Sequence, residues 1–102
     1  MEYKTITAKE AKEMIDHEQV MIVDVREADE YAVSHIPGSI LLPLGTLSQT
    51  AMTYLKDPNE KILVYCRSGK RSAVACEQLE KMGYQNVYNF GGILDWPYNT
   101  NQ

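Results

Sequence analysis

Seven consecutive residues, Cys66-Arg67-Ser68-Gly69-Lys70-Arg71-Ser72, put one thiol, three cationic side chains, two hydroxyls and a glycine into one short segment. A thiol is a nucleophile only as its thiolate, and each of these neighbours favours that charged form. If the segment curls so that its backbone N–H groups point inward above a helix N-terminus, it makes a nest for an anion, and Gly69 permits the turn. Thiolates in such settings titrate from roughly 3.5 to 7.5, so the pattern predicts a Cys66 that is largely ionised at neutral pH. A strand-end cysteine standing alone is more often a buried small hydrophobe. Here the basic loop, the glycine and the helix that follows coincide, and they favour the nucleophile.

The remaining charges divide by position. Arg67 and Lys70 are placed either to meet an anionic donor at the mouth of the loop or to sit solvated on it. Arg71 begins a helix, where its cation opposes the macrodipole, so it is expected to serve the loop anion or a carboxylate, with Asp24 as the candidate. Cys76 falls on an apolar helical stripe with Leu79, ten residues from Cys66, and reads as core rather than as a disulfide partner. His17 and His35 have no second histidine or cysteine at ligand spacing, so no metal site is expected. The absence of a glycine-rich nucleotide motif leaves no cofactor implied.

These residues need elements to hold them. A short strand near 3–6 precedes a helix announced by Thr7 and Glu10, the spacing of a capping box. Val20-Met21-Ile22-Val23-Asp24-Val25 is the nearly continuous apolar run of a strand covered on both faces. A helical segment over 27–34, the turn His35-Ile36-Pro37-Gly38, a short strand over 39–42 and a helix over 44–55 follow. Lys61-Ile62-Leu63-Val64-Tyr65 is the strongest strand, and Cys66 stands at its end. Ala75, Cys76, Leu79 and Met82 mark the helix after the loop, with Gly83 at its C-terminal cap. A strand over 86–90, a turn at Gly91-Gly92 and a short helix over 93–96 that packs Trp96 complete the pattern. Alternating strands and helices predict one α/β domain over 1–102 with a mainly parallel sheet of about five strands flanked by helices, and ligands bind such sheets beyond the strands' carboxyl ends.

Composition narrows the classes. The chain has 102 residues, 44% of them hydrophobic, and a formal net charge of −4. That balance is unsuited to nucleic acid or an anionic membrane surface. No run approaches the roughly 20 apolar residues of a membrane span. With two cysteines and no signal-peptide pattern in MEYKTITAKE, the cytoplasm is the expected location.

In order along the chain, Asp24-Val25-Arg26-Glu27, Glu30-Tyr31, His35-Ile36-Pro37-Gly38-Ser39-Ile40, the Cys66–Ser72 loop and Gly91-Gly92-Ile93-Leu94-Asp95-Trp96 resemble the successive motifs of single-domain rhodaneses. The resemblance implies a three-layer rhodanese-like fold and a sulfurtransferase. In such an enzyme Cys66 would take a sulfane sulfur from thiosulfate or a persulfide and pass it to a thiophilic acceptor, such as cyanide, a thiol or a partner protein's cysteine. It also implies that Asp24 and Arg26 help fix the loop, while the alternative for Arg26 is a surface pair with Glu27 or Glu30. His35 is expected to shape its turn rather than act as a base. Where the family often has glycine, this chain has Ser34.

Two other readings stand beside this one. Related phosphatases and arsenate reductases use a C-x5-R loop, whereas this chain reads C-x4-R with Ser72 at the sixth step, a smaller cradle suited to one sulfur atom. Non-catalytic rhodanese-like modules bind partner proteins, but there the cysteine is missing.

Overall fold

In the computed structural model, which describes residues 3–102, strands and helices alternate as the sequence pattern predicts. Strand β1 (Lys4–Thr5) leads into helix α1 (Ala8–His17). The start of α1 is fixed reciprocally: the Glu10 N–H donates to Thr7 Oγ1 at 3.0 Å and the Thr7 N–H donates to Glu10 Oε1 at 2.9 Å. Strand β2 (Val20–Asp24), helix α2 (Ala28–Val33) and strand β3 (Ile40–Leu41) come next. Helix α3 (Leu47–Tyr54) is preceded by a separate 3-10 turn, Leu44–Thr46. Strand β4 (Lys61–Cys66), helix α4 (Lys70–Lys81) and strand β5 (Asn86–Gly92) lead to a last 3-10 turn, Ile93–Asp95.

Strands β1 and β3 and helix α2 are each shorter than expected, and two elements differ in kind. The single helix anticipated over 44–55 is broken at its start because the Thr46 N–H bonds to Pro43 O at 3.1 Å and the Leu44 N–H is drawn to Val25 O at 3.1 Å. The turn anticipated at Gly91-Gly92 is instead the end of β5, where Gly92 pairs with Cys66 after a register irregularity. Gly83 does follow α4 at φ +103 as a C-terminal cap.

Among the described residues the strands form a five-stranded sheet in the order β1-β5-β4-β2-β3, every neighbouring pair parallel. β4 is therefore central, and its residues alternate between two cores. Ile62, Val64 and Cys66 face the layer of α3 and α4, packed with Leu47, Ala75 and Leu79. Leu63 and Tyr65 face the other layer, with Ala11 of α1, Ile36, Phe90 and Trp96. This alternation explains why the strand reads as a continuous apolar run. Each fully buried aliphatic side chain contributes roughly 1.5–3 kcal/mol. Several along one strand outweigh any single surface ion pair, so burial sets where β4, and hence Cys66, lies.

Candidate active site

The period-two alternation of β4 points the Cys66 side chain toward the start of α4, and the chain then turns back over the sulfur. The Gly69 N–H donates to Cys66 Sγ at 3.0 Å, and Ser72 Oγ lies 3.5 Å from the same sulfur. Gly69 sits at φ +103 immediately before α4, a conformation open to glycine and strained for other residues. The loop also rests on the end of β5. A Cβ at Gly92 would fall 2.0 Å from Arg67 O and 2.6 Å from Ser68 Cα, so only hydrogen fits there. Leu94 N–H adds a bond to Arg67 O at 3.3 Å. The glycine pair is thus the floor under the loop.

Cys66 is 1% exposed. Burial works against its ionisation, yet the Ser72 hydroxyl and the backbone N–H groups of Ser72, Gly69 and Ser68 outweigh it, and the thiol titrates below the ordinary cysteine value. Cys76 shares the same core but has no such donors, and burial foremost pushes it up to about 12. The two cysteines are free.

The predicted charged residues separate in space. Arg67 and Lys70 are exposed and make no ion pair among the described residues. Arg71 does not pair with Asp24, as the sequence suggested; it grips Glu30 with two bonds, Nη1 to Oε1 at 2.7 Å and Nη2 to Oε2 at 2.9 Å. The Arg71 bonds hold the Glu30 carboxyl down at about 2, helped against partial burial by the Glu27 N–H. Asp24 is unavailable to Arg71 because Arg26 already closes on it. Arg26 donates from Nη2 to Asp24 Oδ2 at 2.7 Å, from Nε to Oδ1 at 3.0 Å, and from its backbone N–H to Oδ1 at 2.9 Å. Both side chains are buried, so Arg26 is no surface pair with Glu27 or Glu30. The same guanidinium donates to Ser34 O at 2.7 Å. Ser34 itself is extended at φ −165, a conformation that needs no glycine. Asp24 pairs in register with Tyr65, one residue before Cys66, so this couple lies beside the strand that carries the loop.

His35 has a structural setting. Its ring stacks on Tyr31 at 3.8 Å, and the neighbouring Ile36 N–H donates to Tyr65 Oη at 3.0 Å, tying the turn to β4. Two participants are not evident from the sequence. Glu30 presents itself there as part of a family-like motif and as a surface partner for Arg26, not as the partner of Arg71. Asn89, whose side-chain oxygen takes the Gly91 N–H at 3.0 Å and the Ser72 hydroxyl at 2.8 Å, is not among the sequence candidates at all. Its one signal is a strand-disfavoured amide inside a strand. A cleft of about 390 Å³ between α1 and the Trp96–Asn99 segment contains none of the loop residues.

The rhodanese-like domain family model matches residues 7–97. The chain belongs to the rhodanese-like domain family. Thiosulfate sulfurtransferase PspE of Escherichia coli (strain K12) is 38% identical over 73 residues, covering 72% of this chain and 70% of that protein. YrkF of Bacillus subtilis (strain 168), provisionally named a sulfur carrier protein, is 35% identical over 97 residues, covering 93% of this chain. This chain spans about half (51%) of the length of YrkF. Among solved structures, a rhodanese with anions from E. coli superposes with a TM-score of 0.78 at 33% identity, covering 82% of this chain and 99% of that one. The rhodanese-like fold therefore accounts for the parallel sheet and for the loop at the end of β4. Among the described residues no helix is long and apolar enough to cross a membrane.

Proposed function

We propose that this chain is a sulfurtransferase that carries a sulfane sulfur as a persulfide on Cys66. The Cys66 thiolate attacks the outer sulfur of thiosulfate; a new S–S bond forms at Sγ, the old S–S bond breaks, and sulfite leaves with its electron pair. A persulfide donor reacts likewise and releases its thiolate. A thiophilic acceptor, cyanide or a thiol, then attacks the outer sulfur, taking it as thiocyanate or a new persulfide and returning Cys66 to the thiolate. No external oxidant or reductant enters either step.

The observation that carries this reading is the Gly69 N–H aimed at Cys66 Sγ from 3.0 Å, inside a loop whose donors all favour negative charge on sulfur. Arg67 and Lys70, exposed and free of ion pairs among the described residues, are placed to draw an anionic donor. Arg71 is engaged by Glu30, which argues against a phosphate-binding arginine aimed into the loop. The sulfurtransferase and sulfur-carrier names of relatives at 35–38% identity agree with the same chemistry. The cytoplasm remains the location that suits a thiol-dependent carrier.

Thiosulfate:cyanide sulfur transfer assayed beside hydrolysis of an aryl phosphate tests the choice. Thiocyanate formation that is lost in Cys66→Ser is expected. Phosphate release without thiocyanate would overturn the proposal.

A further inference from the structure

The Ser72 hydroxyl has one proton and too many uses for it. Its oxygen lies 2.8 Å from Asn89 Oδ1, 3.0 Å from Gly69 O, 3.4 Å from Gly91 O and 3.5 Å from Cys66 Sγ. Gly69 O already accepts the Ala73 N–H at 3.2 Å as the first bond of α4. Asn89 Oδ1 is the nearest of these acceptors, and its second lone pair is open to the hydroxyl beside the N–H it takes from Gly91. Asn89 is 7% exposed on β5, on the sheet face that α4 covers, since Tyr88 and Phe90 on either side face the other core. Which end of its amide faces Ser72 follows from bonding: the Gly91 N–H, a donor only, meets the same atom at 3.0 Å, so that atom is the oxygen. An amide oxygen cannot donate, so the hydroxyl must.

When Cys66 is a thiol, its S–H can therefore donate to Ser72 Oγ while the Ser72 proton rests on Asn89. When Cys66 is a thiolate, the same proton is needed at sulfur. Asn89 can release it without being orphaned, because its oxygen keeps the Gly91 N–H. We propose that Asn89 is a positioning residue for Cys66, acting through Ser72: it holds the hydroxyl proton in the thiol state and yields it to the sulfur in the anionic state. A neutral acceptor suits that exchange, since a carboxylate at the same place would grip the proton in a charge-assisted bond and keep it from the sulfur. This rests on the reading of Cys66 as the nucleophile.

Among the described residues, Arg71 and Cys76, both on α4, interact electrostatically with the sulfur. Neither touches Asn89 in the described bonding, so their effects cancel in a double-mutant cycle.

The test reads the Cys66 pKa from the pH dependence of iodoacetamide alkylation in the parent, Asn89→Asp, Ser72→Ala and the double variant. Asn89→Asp keeps the side-chain shape and the acceptor for Gly91. It is expected to raise the Cys66 pKa by about one unit more when Ser72 is present than in the Ser72→Ala background, a tenfold difference in thiolate fraction below the pKa. Asn89→Ala, where it folds, is expected to lower that pKa only when Ser72 is present. Equal shifts in the two backgrounds would mean that the carboxylate introduced by Asn89→Asp acts by charge alone and would overturn the proposal. Sulfur uptake by the parent is measured separately. Coupled ionisation without sulfur uptake would leave the Asn89 role standing and overturn the proposed function instead.

Discussion

Gly69 and Cys66 are three residues apart, and the glycine N–H reaches back to the cysteine sulfur at 3.0 Å, closing the start of α4 over the end of β4. This contact requires the left-handed backbone at Gly69, and it distinguishes the two buried cysteines of the chain. Cys66 is surrounded by donors, whereas Cys76 is buried in the apolar core without them.

That difference predicts selective labelling. At pH 8 the native protein is expected to take up one equivalent of a small alkylating reagent, all at Cys66, because the loop donors favour the Cys66 thiolate whereas burial foremost pushes the Cys76 thiol up to about 12. Peptide mapping checks the site. Labelling of Cys76 in the native state at a comparable rate would contradict the assignment.

Gly92 gives a second prediction. Gly92→Ala would drive a Cβ to 2.0 Å from Arg67 O, and backbone atoms cannot move aside as a flexible side chain would. The loop must lift from β5, carrying Gly69 away from the sulfur. A displacement of this kind is expected to lower sulfur transfer by about a hundredfold and to raise the Cys66 pKa, while far-ultraviolet circular dichroism stays that of the parent. Unchanged transfer kinetics would show that the glycine floor does not hold the loop.

The Glu30–Arg71 pair should show in acid. The folded-state pKa of Glu30, about 2, lies below its unfolded value, so the pair stabilises the protein above about pH 5 and that contribution fades as pH falls toward 2. Since the two side chains are 26% and 35% exposed, screening leaves about 1 kcal/mol. Glu30→Gln is expected to flatten the fall in urea midpoint between pH 5 and pH 2. A slope identical to the parent's would remove Glu30 from the acid response.

Asp24 and Arg26 differ from that pair by being buried. Replacing one member leaves an uncompensated charge in the interior, at a cost of roughly 3–5 kcal/mol for Arg26→Met or Asp24→Leu alone. Replacing both is expected to recover most of that loss. Urea denaturation of the three variants measures it, and single and double variants of equal stability would contradict a buried, mutually compensating pair.

The sheet, its parallel sense and the position of Cys66 were legible because β4 is apolar at every position from Ile62 to Tyr65 and the loop changes composition abruptly at Arg67. Local signals also located the Thr7–Glu10 cap and Gly83. Partnerships across the fold were not legible. Arg71 and Glu30 are 41 residues apart, and nothing in their types favours each other over Asp24, whose claim is cancelled by Arg26 two positions on. Gly91-Gly92 carries the composition of a turn. Its smallness serves instead to let the backbone of Arg67 approach β5, a requirement visible only once the loop is in place. Asn89 was hidden for the same reason, since its two partners come from α4 and from the end of its own strand.

Intact-mass measurement after incubation with thiosulfate and removal of excess donor tests the central claim most directly. The parent is expected to gain the mass of one sulfur atom, to lose it on addition of cyanide, and Cys66→Ser is expected to gain none. A parent that gains no sulfur from thiosulfate or from a persulfide donor, or a Cys66→Ser variant that does gain it, would contradict the persulfide at Cys66.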